Sequence, residues 1–382
     1  MNAYWRSTAL ALALICVGPS YAQSPQGVPF PAPIATPQDV AYPGAITLDV
    51  DATDTHRGII TARQTIPVTT SGPTTFLYAE WIPGKHGPRG PINLFTIQFY
   101  ANGQALMWRR DPINVYAFHV DIPQGVREIE TRTRFTSPTA TAQGRVVVTR
   151  EMMNLNWETL LVYPAGHYAR QITFRPSVTL PADWQHAVAL DGAQTQGQTT
   201  RYADVSLEHL VDAPLFAGRH FRRIDLDPGG RTPFHLNIVA DRPDQLEATE
   251  EQIRPHRNLV QQSYRLFGSR HFDRYEFLFA LSDRMGGVGI EHQRSSENGV
   301  GGNYFTEWDS ALSDRELLPH ELAHSWIGKF RRPADIWTPN YEVPMRGSLL
   351  WVYEGMDQYW GHVLTARSGL WTRQEAIDSL AQ

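Results

Sequence analysis

From residue 45 to about 227 the chain alternates short apolar runs with polar turns. The runs at 46–50, 59–66, 75–81, 95–100, 116–122, 129–135 and 145–149 have the two-residue period or the compact apolar stretch of strands. No long helical stripe interrupts them, so the pattern predicts an all-β, sandwich-like domain over 44–230. Trp81, Trp108, Trp157 and Trp184 then belong to its core rather than to a binding platform. After the turn-rich Asp227-Pro228-Gly229-Gly230 the character changes. A strand at 234–240, a helix over about 244–267, a strand at 275–281, a glycine-rich segment and two further helical stripes predict an α+β domain over 231–382. Pro319 falls inside the first of those stripes, so that helix either begins close to it or kinks there.

The same stripe carries His320-Glu321-Leu322-Ala323-His324. Positions four apart share a helix face, so both imidazoles can reach one Zn²⁺ while Glu321 stands beside a metal-bound water. A third ligand is needed. Glu354 lies in Leu349-Leu350-Trp351-Val352-Tyr353-Glu354-Gly355, an apolar run in which a lone carboxylate is costly unless paired or bound to metal, and it is the candidate. Asp357 reads as a solvated helix carboxylate, with a hydrogen bond to a ligating histidine as the alternative. Upstream, Arg284-Met285-Gly286-Gly287-Val288-Gly289-Ile290-Glu291-His292 has closely spaced glycines that let a ligand approach the backbone, marking Gly287 and Gly289 as substrate-binding candidates. Glu291 after them can hold a cation such as a peptide's free amino group.

Together these pieces resemble the glycyl aminopeptidase family, gluzincin peptidases distantly related to the aminopeptidase N family. The resemblance rests on residues 285–292, 294–299, 318–326, 328–333 and 349–355, with weaker likeness at Trp81-Ile82-Pro83-Gly84, Arg89, 184–190 and 210–214. It implies a thermolysin-like catalytic domain with His320, His324 and Glu354 as zinc ligands, Glu321 as general base and Glu291 as the anchor of the substrate's amino terminus. It also implies an aminopeptidase acting on peptides with small amino-terminal residues such as glycine or alanine. A zinc endopeptidase and a catalytically silent, peptide-binding homologue are the alternatives. Relatives carry further helices, an oxyanion-binding tyrosine and a PDZ domain beyond the third ligand. Here Thr372-Arg373-Gln374-Glu375 reads as a capping box opening a helix whose apolar stripe, Ala376, Ile377 and Leu380, is cut short at Gln382, so the catalytic domain is expected to be incomplete.

Composition narrows the setting. Residues 1–22, with Arg6, an apolar run over 9–17 and Ser20-Tyr21-Ala22, read as a signal peptide, and the proline-rich 23–43 as an extended leader. The single cysteine, Cys16, lies within that signal, so the mature chain has no disulfide. Export to a periplasm, or secretion, is expected. The formal charge of −5 and the absence of a basic cluster give no reason to expect nucleic acid, and no run is long enough to span a membrane. Arg331-Arg332 reads as pinning the loop after the histidine helix, or as holding a substrate carboxylate.

Overall fold

A computed structural model describes residues 33–381 except Pro91 and Asn93. The expected signal peptide, with Cys16, and the leader up to residue 32 lie outside the described residues.

Ala45–Asp54 and Ile59–Pro67 pair antiparallel, and their alternation turns Ile46, Leu48 and Val50 inward at 0–2 % exposure. Glu128–Thr136 and Phe95–Ala101 extend this sheet on one side, and Thr173–Thr179 joins Ala45–Asp54 in parallel on the other, within a nine-stranded sheet. A four-stranded sheet centred on Gly72–Leu77 and Ala117–Ile122 sends Phe76 and Phe118 into the same core. Trp157 is fully buried there and donates from Nε1 to the Ala213 carbonyl at 2.8 Å. The expected strand at 145–149 does not form. The Ser137 hydroxyl accepts the backbone N–H groups of Val147 and Val148, both at 3.1 Å, taking donors that a neighbouring strand would need.

The second core surrounds a five-stranded mixed sheet in the order His220–Asp225, Phe234–Ala240, Tyr275–Leu281, Ser295–Val300, Val288–Glu291. The turn at 227–230 therefore joins the first two strands of this sheet. Its central strand is buried along its whole length, as its unbroken run of Tyr, Phe, Leu and Ala requires when helices cover it. A smaller, three-stranded sheet links the halves: its Met152, Ala187 and Phe216 share an apolar cluster with Val239, Leu278 and Ala280.

The expected helix at 244–267 begins at Glu250. Residues Pro243–Leu246 close as a short 3-10 turn with Gln245 accepting the Arg242 N–H at 2.9 Å, and Thr249 and Gln252 then cap Glu250–Phe267 reciprocally. The histidine helix spans Leu317–Ala323, which puts Pro319 in its first turn, where no intrahelical partner is lost. The glutamate helix spans Leu350–Ser368, and the expected capping box opens Arg373–Ser379, whose Ile377 is half exposed. Among the described residues no helix is long and apolar enough to cross a membrane.

Candidate metal centre

The histidine helix and the glutamate helix meet at a glycine. A Cβ added to Gly361 would stand 3.1 Å from His320 Cα, so only glycine lets the two backbones approach this closely. That contact brings Glu354 Oε2 to 3.4 Å from His324 Nε2 and 3.9 Å from His320 Nε2, while the two Nε2 atoms are 3.2 Å apart. Donors about 2.05 Å from a tetrahedral Zn²⁺ stand about 3.3 Å from one another, so these three residues fit that ion. His324 Nδ1 faces the Ile327 carbonyl at 3.2 Å; a proton held there leaves the Nε2 lone pair free. Burial, with the His324 charge second, pulls the His320 pKa down to about 4, so its ring is neutral at physiological pH. For Glu354 burial acts upward, but His324 and His86 outweigh it and keep the carboxylate ionised.

Glu321 is buried and faces the edge strand Val288–Glu291. A Cβ on Gly289 would fall 2.3 Å from Glu321 Oε1, so that glycine makes room for the acid itself. Gly287, ahead of the strand, would meet only the Gly299 carbonyl, at 3.7 Å. Glu291 ends the strand with its carboxylate turned to the same space: oxygen atoms of Glu291 and Glu321 and a ring nitrogen of His324 lie within 4.8 Å of one another. Burial, then Glu291 and Glu354, push the Glu321 pKa well up. Glu291 is kept low against its own burial by Lys329, His324 and His86. A divalent cation among these crowded carboxylates would relieve their repulsion, a second respect in which the residues fit a metal.

Asp357 departs from the solvated reading. It is completely buried, 3.4 Å from His320 Nδ1 and 3.2 Å from His324 Nε2, because the glutamate helix turns this position, three residues after Glu354, onto the histidine helix. Neither carboxylate oxygen has an aligned hydrogen-bond donor among the described residues, and burial followed by Glu321 and Glu354 pushes its pKa up to about 10.

Two residues at the site had been given no part. His86, in the left-handed region at φ 50° on the loop after Trp81, brings Nε2 to 2.9 Å from Glu354 Oε1, although its N–H is not aimed along that line. The Tyr353 hydroxyl donates to Glu291 Oε1 at 2.5 Å, and it reaches that far because Gly328, at φ 137°, has no Cβ to block the ring. The only advance signal for His86 was a histidine between glycines at Gly84-Lys85-His86-Gly87. Arg332 lies 3.9 Å from Glu208, and Arg331 covers the Phe330 ring; both contacts belong to the loop-pinning reading.

The chain was compared with known proteins. The family model described as the Peptidase M61 N-terminal domain matches residues 47–219, and that described as M61 glycyl aminopeptidase matches 313–382. No curated protein matches. Among solved structures, an aminopeptidase N family protein from Idiomarina loihiensis aligns with a TM-score of 0.73 at 18 % identity, covering 87 % of this chain and 56 % of that one. A mutant M1 zinc metallopeptidase from Deinococcus radiodurans bound to a Tyr-Ser-Ala substrate aligns at 0.50 and 16 %, covering 90 % of this chain and 74 % of that one. This chain thus spans little more than half the length of the first of these. At such identities the likeness speaks to fold, a strand-rich half followed by an α+β peptidase-like half. With two models of one family matching more than half of its residues, the chain belongs to the M61 glycyl aminopeptidase family.

Proposed function

We propose that the protein is an exported zinc aminopeptidase that removes small amino-terminal residues from peptides. The observation that carries this reading is the set of three nitrogen and oxygen donors at tetrahedral spacing, with Glu321 on the same helix and Glu291 facing it across the cleft. Export rests on the signal-like residues 1–22.

Zn²⁺ held by His320, His324 and Glu354 would supply Lewis acidity that polarises the scissile carbonyl and acidifies water. The rest of the chemistry belongs to the chain. The edge strand Val288–Glu291 has a free side on which an extended peptide can add, antiparallel, with its amino group at Glu291. Glu291 binds the ammonium, and Tyr353, donating to Glu291 Oε1, fixes the carboxylate's orientation. Glu321 takes the proton from the attacking water on a carboxylate oxygen and passes it to the leaving amine. Preference for a small first residue is supported by the pocket beside Glu291, about 90 Å³ and bounded by His86, Lys329, Tyr341 and Tyr353.

Glu321→Gln should lower kcat by about 10²–10⁴-fold while leaving one zinc per chain, measured by turnover of Gly- and Ala-peptides beside metal analysis. Amino-terminal acetylation of the same peptides should abolish cleavage. Equal cleavage of blocked and free peptides would instead identify an endopeptidase, and peptide binding without any turnover a silent homologue.

A further inference from the structure

A cavity of about 370 Å³ opens in the β-rich half of the chain, and one of its lining residues, Arg145, reaches Gly286 just before the edge strand. Lys85, Arg89 and Arg145 line it, and among the described residues no carboxylate does. Tyr78 and Phe95 supply an apolar wall. Two of its guanidinium nitrogens, Arg89 Nε and Arg145 Nη2, are buried with no hydrogen-bond partner among the described residues. Buried polar groups are normally satisfied; Arg89 already gives Nη1 to the Tyr78 hydroxyl and Nη2 to the Glu158 carbonyl at 3.5 Å, but Arg145 keeps Nη2 free in a cavity that no carboxylate among the described residues lines, a place for an anion. The nearest carboxylates do not fill that need. Glu158 pairs with Arg89 only loosely, at 3.7 Å and with neither carboxylate oxygen accepting a hydrogen bond among the described residues, and burial raises its pKa against the pull of Lys85 and Arg89. Glu297 is already shared among His292, Asn154 and Asn156. Burial in turn lowers the Arg145 pKa, the direction expected of a cation short of counter-charge.

The cavity's position relative to the cleft decides which anion. Arg145 Nε donates to the Gly286 carbonyl at 3.4 Å, and the Gly286 N–H donates to Val146 O at 3.4 Å. A Cβ on Gly286 would strike Arg145 Cγ at 2.8 Å, so the arginine stem lies directly on the glycine backbone. A peptide anchored by its amine at Glu291 and running antiparallel along the strand heads toward Gly286. At about 3.3 Å per residue it arrives there after roughly three to five residues, the span shortened by the reach of the arginine side chain.

We propose that Lys85, Arg89 and Arg145 form a subsite for the free carboxyl terminus of a short peptide, so that the cleft reads both ends of its substrate. The substrate class is then oligopeptides of about three to five residues rather than the amino termini of whole proteins. The inference rests on the aminopeptidase reading for the direction in which the peptide lies, and on the cavity alone for its charge.

The test is calorimetric binding to the full, metal-loaded chain carrying Glu321→Gln, which holds peptides without cleaving them. The probes are Gly-Ala-Ala and Gly-Ala-Ala-Ala as free acids and as carboxyl-terminal amides. At least one acid should bind about tenfold or more tightly than its amide, and Arg145→Gln should erase that difference by weakening the acid alone. Lys85→Gln, at an exposed position, should reduce the difference in the same direction without risk to the fold. Acids and amides that bind alike, or variants that weaken both forms equally, would overturn the subsite. Because the acid-to-amide ratio is read without turnover, an acid preference in a wild-type chain that cleaves nothing would sink the enzymatic reading and leave the subsite standing. Cleavage of acids and amides at equal kcat/KM, with equal binding, would do the reverse.

Discussion

Asp357 shows how much one side chain's surroundings can change its chemistry. A buried acid with no aligned donor among the described residues, beside two imidazoles and near the charges of Glu321 and Glu354, calls for a task that offsets its burial. The natural task is to hold the His320 Nδ1 proton, which keeps the Nε2 lone pair turned toward the metal position. Asp357→Ala should therefore weaken zinc binding by about 10–100-fold, read by competition with a chelator, with helix content unchanged. An unchanged zinc affinity would mean that Asp357 is only a buried, neutral acid with no part at the centre. His86 acts at the opposite oxygen of Glu354 from the one nearest the histidines, so its contribution is to the aim of the ligand rather than to the ligand count.

At the scale of elements, the centre depends on how closely two helices pass, and that is decided by Gly361 rather than by any ligand. A methyl there would stand 3.1–3.3 Å from the His320 backbone and Cβ, and backbone cannot swing away as a side-chain end can. Gly361→Ala should cost about 1–3 kcal/mol in denaturant unfolding and loosen zinc binding together, since moving the histidine helix moves both imidazoles away from Glu354. Stability lost with zinc affinity intact would show that the helices relax elsewhere. The elements also show what the sequence could disclose. His320 and His324 were legible because helical periodicity is local, and Glu354 because a carboxylate in an aromatic run demands a reason. Asp357 was misread since its exposure depends on which helix faces it, a tertiary fact. His86 was invisible because a loop from the other half of the chain delivers it. The valines at 146–148 looked like a strand, but the Ser137 hydroxyl claims the backbone donors of Val147 and Val148.

Across the whole molecule, the β-rich half and the peptidase-like half are joined by charge as well as by the shared apolar cluster. His292 sits buried between Asp212, 3.2 Å from Nδ1, and Glu297, 3.2 Å from Nε2; Lys329 reaches the same Asp212 oxygen at 2.8 Å, and Asn154 and Asn156 donate to Glu297. Asp212, Asn154 and Asn156 come from the first half, the histidine, Glu297 and Lys329 from the second. Burial works against the imidazolium, yet hydrogen bonds to the two carboxylates raise its pKa to about 9; against their own burial, the His292 contact lowers Glu297 to about 2, and Lys329 followed by His292 lowers Asp212 further. A raised histidine pKa stabilises fully below its unfolded value of about 6.5 and is lost as pH climbs through about 9; the depressed acids stabilise above about 4.5 and fail only in strong acid. Stability should accordingly be greatest between about pH 4.5 and 6.5 and fall on the alkaline side by a few kcal/mol at most, about 1.4 kcal/mol for each pKa unit. His292→Gln, which keeps polar contacts but removes the charge, should be less stable than wild type near pH 6 and approach it near pH 10. Parallel pH–stability curves for the two proteins would show that the charge on His292 does not hold the halves together, and that the Lys329–Asp212 pair, the hydrogen bonds to Glu297 and the apolar cluster around Met152, Phe216 and Leu278 do so without it.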